Sequence, residues 1–272
     1  MCPSNPAASR SRGFQIRLLL CDLDGTLTGP TGRGHSVRLV PLLNDLMARG
    51  TKIGVVSGRE MVTALAVHRL FDLNGPIIGE NGAEAILDPQ HDEANRVNLG
   101  GLAPPQLDHI REQLQAHGLL ARMFIDREKR YMLTLYPNEF PKHRPEELPQ
   151  LREAVADALR SFGNSIEITY SSAAVDVSAH GVDKGSGIQK TCELLNLPLA
   201  AVAFVGDSAN DRSAFTVVGR GGGWLAYVGR DATLERELQE FSKVYYARES
   251  ASEGTAEFMQ FVLTQERDHA GH

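Results

Sequence analysis

Short apolar, β-rich runs alternate with helical periodicity along the chain, and this alternation constrains the fold more than any other feature. Apolar residues recur at helical spacing from Val37 to Met47 and again from Met61 to Leu70. Strand–helix–strand alternation is typical of a parallel sheet with helices on both faces, so the sequence predicts an α/β core. The four runs are Ile16–Cys21, Lys52–Val56, Pro76–Ile78 and Ala201–Val205.

The middle of the chain has an α+β pattern instead, which predicts a separate domain inserted into the core. Two helical patterns there, Pro104–His117 and Pro145–Phe162, interrupt strands that look half-exposed. Those strands are Ala83–Leu87, Arg122–Ile125, Tyr131–Tyr136, Ile166–Thr169 and Ala174–Val177. The predicted division is a disordered leader at 1–13, the first part of the core at 14–83, the inserted domain at 84–180 and the second part of the core at 181–272.

Composition excludes several classes of partner. The chain has 272 residues, 42% of them apolar, and a formal net charge of −6. No block of lysine and arginine is present, so nucleic acid and anionic membranes are not expected partners. No apolar run approaches the roughly 20 residues of a membrane-spanning helix. Three scattered cysteines (Cys2, Cys21 and Cys192) without CxxC spacing indicate reduced thiols and a cytoplasmic location.

Two carboxylates, Asp22 and Asp24, follow the first apolar run in the stretch CDLDGTLTG. Residues i and i+2 lean to the same side as a strand ends, so the two acids are expected to lie close together. One aspartate can act as a nucleophile that accepts a phosphoryl group, and the second can serve as general acid and base. The alternative is a turn capped by carboxylates, since Asp-Gly is common in turns.

A second acidic pair, Asp207 and Asp211, follows the last apolar run in the stretch FVGDSANDRSAF. An i, i+4 pair at a helix start presents both carboxylates on one face. Mg²⁺ prefers oxygen ligands, typically one or two carboxylates with waters and substrate phosphate. An N-capping aspartate is the alternative for this pair alone. Because carboxyl ends of parallel strands share one edge, the four acids together predict a cation.

Two further motifs are suited to binding phosphate. In VVSGRE, Ser57 and the amide of Gly58 can hold a phosphate oxygen near a helix N-terminus, and the same serine can instead cap that helix. In GVDKGSGI, Lys184 supplies a point charge for phosphate, with a solvated lysine as the alternative. The stretch GGGWLA near Gly221 is interpreted as a flexible loop, and the histidines show no zinc-ligand spacing.

With DLDGTLT, VVSGR, GVDKGSGI and GDSANDRSAF in this order, the sequence resembles the haloacid dehalogenase superfamily of phosphohydrolases over about residues 16–263. The long insert resembles the α/β cap of the Cof-type, sucrose-phosphatase-like branch. Within that branch, GPIIGENGA, GVDKGSGIQK and VYYARESASEGTAEFM are most similar to the archaeal-type phosphoglycolate phosphatases. The resemblance implies a Rossmann-like core closed by the cap.

The resemblance also implies roles for the site residues. Asp22 would be the nucleophile and Asp24 the general acid and base. The implied Mg²⁺ ligands are Asp22, the main-chain carbonyl of Asp24, Asp207 and Asp211. The implied phosphate and substrate ligands are Ser57, Gly58, Lys184, Asn81 and Asn210.

The expected substrate is a small-molecule phosphate ester, with phosphoglycolate as the first candidate and a sugar phosphate as the second. A phosphomutase shares the same motifs, and a non-catalytic phospho-ligand binder is a further alternative. A homodimer is compatible with the sequence. Three basic residues of the stretch IDREKRYML, Arg127, Lys129 and Arg130, either meet a second anionic group of the substrate or form a solvated hairpin tip.

Overall fold

The computed structural model describes residues 16–29, 32–142, 144, 146–171 and 173–270. The predicted leader at 1–13 and the predicted helix start at Pro145 lie outside these ranges. Within them the strands are β1 (Leu18–Cys21), β2 (Lys52–Val56), β3 (Ile77–Gly79), β4 (Glu84–Ile86), β5 (Arg96–Asn98), β6 (Met123–Ile125), β7 (Leu133–Pro137), β8 (Ile166–Tyr170), β9 (Val175–Ala179), β10 (Val202–Gly206), β11 (Trp224–Tyr227) and β12 (Val244–Tyr246).

The α-helices of the described residues are α1 (Leu39–Ala48), α2 (Met61–Leu70), α3 (Pro104–Ala116), α4 (Glu147–Ala158), α5 (Lys184–Leu194), α6 (Arg212–Arg220), α7 (Ala232–Leu238) and α8 (Ala251–Ala270). Short helical turns occur at Leu23–Leu27, Glu80–Gly82, Leu119–Ala121, Arg160–Ser165, Leu199–Ala201 and Ala209–Asp211. No helix of the described ranges is long and apolar enough to cross a membrane.

Eight strands form one large sheet in the order β12-β11-β10-β1-β2-β3-β4-β5. Pairing is parallel from β12 to β3 and antiparallel at β3–β4 and β4–β5. Cys21, the last residue of β1, lies opposite Val205 of β10 and Val55 of β2. This register brings the polar residues that follow the three strands to one edge of the sheet. The structure thus confirms the predicted α/β class with a parallel core.

Apolar side chains on both faces of the large sheet are buried against helices. Helices α1, α2 and α8 cover one face, where Leu43 and Phe258 are fully buried. Helices α5, α6 and α7 cover the other face, where Phe215 packs edge-on against Phe204 of β10. Burial of large apolar side chains contributes most of the stabilising free energy of such a core.

A second, antiparallel sheet with the order β6-β7-β9-β8 lies in the middle segment, and we call it the cap sheet. Helices α3 and α4 bury apolar residues against it, including Ile110, Leu148 and Val155. The α+β pattern predicted for this segment matches these elements.

One strand of the middle segment lies in a different sheet from the one expected. The predicted strand Ala83–Leu87 was assigned to the inserted domain, but β4 pairs with β3 and extends the large sheet. Three residues of left-handed backbone, Glu80 to Gly82, reverse the chain after β3, so β4 returns antiparallel to it. The strand therefore lies in a different sheet from the one expected, while the division of the chain at 84 and 180 stays a prediction.

The stretch GGGWLA is not a flexible loop, and this interpretation was wrong. Trp224–Tyr227 form β11, which is paired on both sides, with β10 and β12. A Cβ on Gly223 would lie 2.5 Å from the carbonyl oxygen of Val202, and one on Gly221 would lie 2.3 Å from Cβ of Leu199. These glycines permit close packing where the chain turns into the strand.

Candidate active site

Three segments that follow β1, β2 and β10 meet at the carboxyl edge of the large sheet. Asp22 follows β1, and its backbone N–H donates to the carbonyl of Val205 over 3.0 Å. Ser57 follows β2 and is buried. Asp207 follows β10. The convergence expected from the parallel sheet therefore occurs.

Lys184 lies at the first residue of α5 and joins two of the acids. Its Nζ donates to Oδ1 of Asp22 over 2.7 Å and to Oδ1 of Asp211 over 2.6 Å. All three side chains are buried. Burial alone would lower the pKa of the Lys184 ammonium, but the two carboxylates hold it above its ordinary value. Lys184 is therefore a fixed positive charge at the centre of the site.

Asp211 is held by the backbone of its own turn. Its Oδ2 accepts the N–H groups of Asp207 and Ser208 over 3.0 Å and 3.2 Å. A Cβ on Gly206 would lie 2.6 Å from the same oxygen, so the glycine leaves room for this carboxylate. With both oxygens engaged, the position of Asp211 is determined by the fold itself.

Asp22, Asp207 and Asp211 each offer a carboxylate oxygen, and these atoms lie within 4.8 Å of one another. Burial, with the like charge of Asp211, raises the pKa of Asp22 to about 7 and that of Asp207 to about 6. Lys184 opposes both shifts. A compact set of hard oxygen donors with excess negative charge fits Mg²⁺, which prefers such ligands.

Asp24 has a different surrounding from the other three acids. Its carboxylate receives two hydrogen bonds from Arg59, from Nε over 2.7 Å and from a terminal nitrogen over 3.2 Å. Both side chains are about half exposed. Gly25, with a φ of 76°, turns the chain here, and a Cβ on it would lie 2.6 Å from Oδ2 of Asp207. The Asp24 side chain therefore lies outside the three-acid cluster, and the prediction that its carbonyl is a metal ligand stays a prediction.

The residues predicted to bind phosphate or substrate also lie at this edge. Ser57 Oγ accepts the N–H of Arg59 over 3.1 Å. The backbone N–H of Asn81 donates to the carbonyl of Ser57 over 3.0 Å, and a Cβ on Gly58 would lie 2.8 Å from the Asn81 side-chain oxygen. Asn210 is exposed at the turn before α6. All four line the cavity in which Asp22, Asp24, Asp207 and Lys184 lie.

This cavity, of about 300 Å³, lies between the core and the cap sheet. The cap contributes a wall that contains one cation, Lys129, beside Thr134 and Asp176. Lys129 is buried, and its Nζ donates to Oγ1 of Thr134 over 2.6 Å and lies 4.0 Å from Oδ1 of Asp176. Arg127 and Arg130, the other two basic residues of the loop, are exposed.

The sequence assigns no role to one residue of this site and leaves two alternatives for another. Arg59 stands inside the motif VVSGRE but received no role, although its contact with Asp24 is bidentate. Lys129 was left open between a substrate contact and a solvated tip, and its burial in the cavity wall excludes the second alternative. The sequence signal for Lys129 is the group of closely spaced charged residues in IDREKRYML.

Comparison with protein families identifies the chain. The family profile of haloacid dehalogenase-like hydrolases matches residues 19–148 and 142–222, which is well over half of the sequence. The chain belongs to the haloacid dehalogenase-like hydrolases. The four motifs that carried the resemblance lie within the matched residues, so the predicted family is confirmed.

Curated relatives in this hydrolase family match over nearly their whole length. The phosphoglycolate phosphatase of Methanopyrus kandleri is 25% identical over 255 residues, which cover 91% of this chain and 97% of the relative. That of Sulfolobus acidocaldarius is 26% identical over 253 residues, covering 92% and 98%. Family membership and these relatives together make the protein a phosphatase.

Solved structures agree on the fold. Protein 0175 of Thermoplasma acidophilum superposes with a TM-score of 0.69 at 18% identity, covering 92% of this chain and 99% of that one. The sucrose-phosphatase of Synechocystis, solved with sucrose and phosphate, superposes with a TM-score of 0.61 at 20% identity, covering 93% and 98%. The two solved structures therefore share the fold of this chain.

Proposed function

We propose that this haloacid dehalogenase-like hydrolase is a Mg²⁺-dependent phosphomonoesterase that acts on a small phosphorylated metabolite through an aspartyl-phosphate. The observation that carries the proposal is the compact cluster of Asp22, Asp207 and Asp211, in which the buried Asp22 and Asp211 both contact Lys184. Such a cluster repels an anionic substrate unless a cation offsets its charge. A small phosphate ester and a divalent cation are the partners that this chemistry requires.

Asp22 is the proposed nucleophile, because it is the one acid that both borders the cavity and contacts Lys184. Its carboxylate oxygen attacks phosphorus, an aspartyl-phosphate bond forms and the bond from phosphorus to the ester oxygen breaks. Asp24 donates a proton to the leaving oxygen. In the second half-reaction Asp24 takes a proton from water, which attacks phosphorus and restores the Asp22 carboxylate. Arg59 orients Asp24 for both transfers.

Other residues of the edge position the transferring group. Ser57 and the amide of Gly58 are proposed to bind phosphoryl oxygens, with Lys184 as the fixed positive charge. Asn81 and Asn210 are proposed to orient substrate and nucleophile. Mg²⁺, held by Asp22, Asp207 and Asp211, would supply charge neutralisation and stabilise negative charge on the phosphoryl oxygens.

For the natural substrate we propose a phosphorylated small carboxylic acid, with phosphoglycolate as the first candidate. The cavity of about 300 Å³ is at the lower end of the ligand-site range of roughly 300–1,000 Å³. Its cap wall holds the buried cation Lys129, which suits a carboxylate at the end of the substrate remote from phosphorus. The relatives named above act on phosphoglycolate.

A sugar phosphate is the second candidate, favoured by one feature of the same wall. Asp176 and Tyr136 also line the cavity, and a carboxylate with a phenol oxygen suits the hydroxyl groups of a sugar. Phosphoglycolate ranks first because its carboxylate can accept a charge-assisted hydrogen bond from the buried Lys129, which a neutral sugar cannot match.

Phosphate release from a substrate panel tests the proposal. The panel contains phosphoglycolate, hexose phosphates, a disaccharide phosphate and an aryl phosphate, each measured with Mg²⁺ and with chelator. We expect Mg²⁺-dependent release with phosphoglycolate as the preferred substrate. Preference for the disaccharide would overturn the substrate assignment, and transfer to a sugar without free phosphate would indicate a mutase. No release from any ester would contradict the enzymatic proposal itself.

A further inference from the structure

A pair of buried acids outside the active site, Glu80 and Glu84, has no role in the mechanism above. Glu80 is 1% exposed and Glu84 is fully buried. Glu80 follows β3 in left-handed backbone with a φ of 50°, which a non-glycine residue rarely adopts. Such a conformation persists only where surrounding contacts fix it, and here the contacts come from the cap.

Glu80 binds the chain at the point where the cap loop leaves the active cavity. Its Oε1 accepts the backbone N–H of Arg130 over 2.7 Å, and its Oε2 accepts that of Tyr131 over 2.8 Å. These are the two residues that follow Lys129, whose side chain lies in the cavity wall. A carboxylate that accepts hydrogen bonds from two consecutive backbone N–H groups fixes both the position and the orientation of the loop. Glu80 also connects to the core, since its own N–H donates to the carbonyl of Arg59 over 3.0 Å.

Within the part of the chain that the structure describes, the second acid of the pair, Glu84, is buried without a hydrogen-bond donor. Among the described residues no donor reaches either of its carboxylate oxygens, and its hydrogen-bonding neighbour is the Glu80 carboxyl, another acid. Arg96 of β5 approaches one oxygen only to 3.7 Å. A fully buried carboxylate without hydrogen bonds is strongly disfavoured, whereas a protonated carboxyl carries no charge and has a proton to donate.

The charges around the pair decide which acid carries the proton. Arg96 lies on β5, and Lys129 and Arg130 lie on the loop that precedes β7. Burial first, and then the like charge of Glu80, raises the pKa of Glu84 to about 7. Burial also raises the pKa of Glu80, but the two backbone N–H groups oppose that shift. The proton therefore belongs on Glu84 and the negative charge on Glu80.

We propose that Glu80 and Glu84 form a proton-carrying positioning pair that holds the Lys129 loop over the active cavity. Glu80 is the charged member, which accepts the two hydrogen bonds from the loop, and Glu84 is the protonated member beside it. When Glu84 loses its proton, two negative charges share a buried site. Their repulsion weakens the hydrogen bonds by which Glu80 holds the loop. The effect on substrate binding rests on the proposed function, in which Lys129 contacts the substrate, while the effect on the fold does not.

The variant Glu80→Gln tests the grip on the loop. Glutamine keeps one acceptor but turns an amide donor toward the second backbone N–H. With the Mg²⁺-loaded enzyme, we expect KM for phosphoglycolate to rise about tenfold or more, with kcat/KM for an aryl phosphate changed less than about twofold. An equal loss on both substrates, or no change on either, would contradict the positioning role.

The variant Glu84→Gln tests the proton and keeps the inference testable if Glu80→Gln does not fold. Glutamine imitates the protonated acid, so we expect a normal KM at pH 6. Because the folded-state pKa of Glu84 lies above its unfolded value, its contribution to stability falls as pH rises toward and past about 7. With saturating Mg²⁺, the Tm of the unmodified protein should therefore fall between pH 6 and pH 8, and that of Glu84→Gln should fall less.

The two readouts separate this inference from the proposed function. An unchanged pH dependence of Tm in Glu84→Gln would overturn the positioning pair, whatever the substrate is. Failure of the unmodified enzyme to hydrolyse phosphoglycolate would overturn the substrate assignment and leave the Tm comparison intact. The matched control is Glu112→Gln, an exposed acid on α3 of the cap, which should change neither KM nor the Tm profile.

Discussion

At the scale of single residues, Lys184 determines the electrostatics of the site. The buried carboxylates of Asp22 and Asp211 contact it and the half-buried Asp207 lies close to both, so the charge of the three acids exceeds that of one ammonium whenever all are ionised. Burial is the main reason why the pKa values of Asp22 and Asp207 are raised, and the like charge of Asp211 adds to both shifts. A bound divalent cation would remove the excess and favour the ionised forms.

Mg²⁺ affinity is expected to depend on pH through these two acids. The folded-state pKa is about 7 for Asp22 and about 6 for Asp207, and both lie above the usual value for an aspartate. Protons therefore compete with the metal for these carboxylates below about pH 6 to 7. In the metal-free protein the stability contribution of both acids falls as pH rises through 6 and 7. We therefore expect the rise in Tm on adding saturating Mg²⁺ to be larger at pH 8 than at pH 5.5.

Thermal unfolding at the two pH values, with and without Mg²⁺, checks this prediction. The variant Asp45→Asn, which changes an exposed acid of α1, should behave as the unmodified protein. A Mg²⁺-induced shift of equal size at both pH values would show that these carboxylates do not hold the ion.

Lys129 is expected to determine affinity for an anionic leaving group. Replacing it with glutamine removes a charge-assisted hydrogen bond worth roughly 1.5–3 kcal/mol, so KM for phosphoglycolate should rise about 10- to 100-fold. Hydrolysis of an aryl phosphate, which has no carboxylate, should change little. The control Lys142→Gln removes an exposed cap lysine. Equal losses of activity on both esters would show that Lys129 stabilises the cap and does not contact the substrate carboxylate.

At the scale of elements, α5 carries Lys184 into the site through glycine contacts. A Cβ on Gly187 would lie 2.5 Å from Cα of Gly82, and one on Gly82 would lie 2.0 Å from the carbonyl oxygen of Asp183. The helix start thus touches the turn after β3. An added atom at either position would force the start of α5 or the turn after β3 to shift.

Gly187→Ala separates helix propensity from packing. Propensity alone would stabilise the helix by up to about 1 kcal/mol, whereas overpacking against backbone typically costs about 1–3 kcal/mol. We expect a lower Tm and reduced phosphate release. The control Gln189→Ala changes an exposed position of the same helix and should retain both. A higher Tm in Gly187→Ala would contradict the tight contact.

The sequence predicted those parts of the fold and the site whose signals are local in the chain. The acids at the ends of β1 and β10 could be found because strand and turn signals lie next to them in the chain. The sequence did not reveal β5, which is only three residues long, or the strand in GGGWLA, where three consecutive glycines are typical of a loop. The sequence assigned no role to Arg59 and left Lys129 between two alternatives, because their partners Asp24 and Asp176 lie in other segments.

At the scale of the whole molecule, the active cavity exists only where the core and the cap meet. The core supplies the acids and Lys184, and the cap supplies Lys129 and its neighbours. Chemistry and substrate choice are thereby placed on different parts of the chain. Substitutions in the core edge should lower turnover of every ester, whereas substitutions in the cap wall should discriminate among esters.

The central claim is that Asp22 carries out covalent phosphoryl transfer within a cation-binding cluster. Phosphate release from an aryl phosphate by Mg²⁺-loaded Asp22→Asn, compared with the unmodified enzyme and with Asp45→Asn, tests it most directly. We expect a loss of several orders of magnitude in Asp22→Asn alone, roughly 10³-fold or more. Undiminished release by Asp22→Asn would show that Asp22 is not the nucleophile.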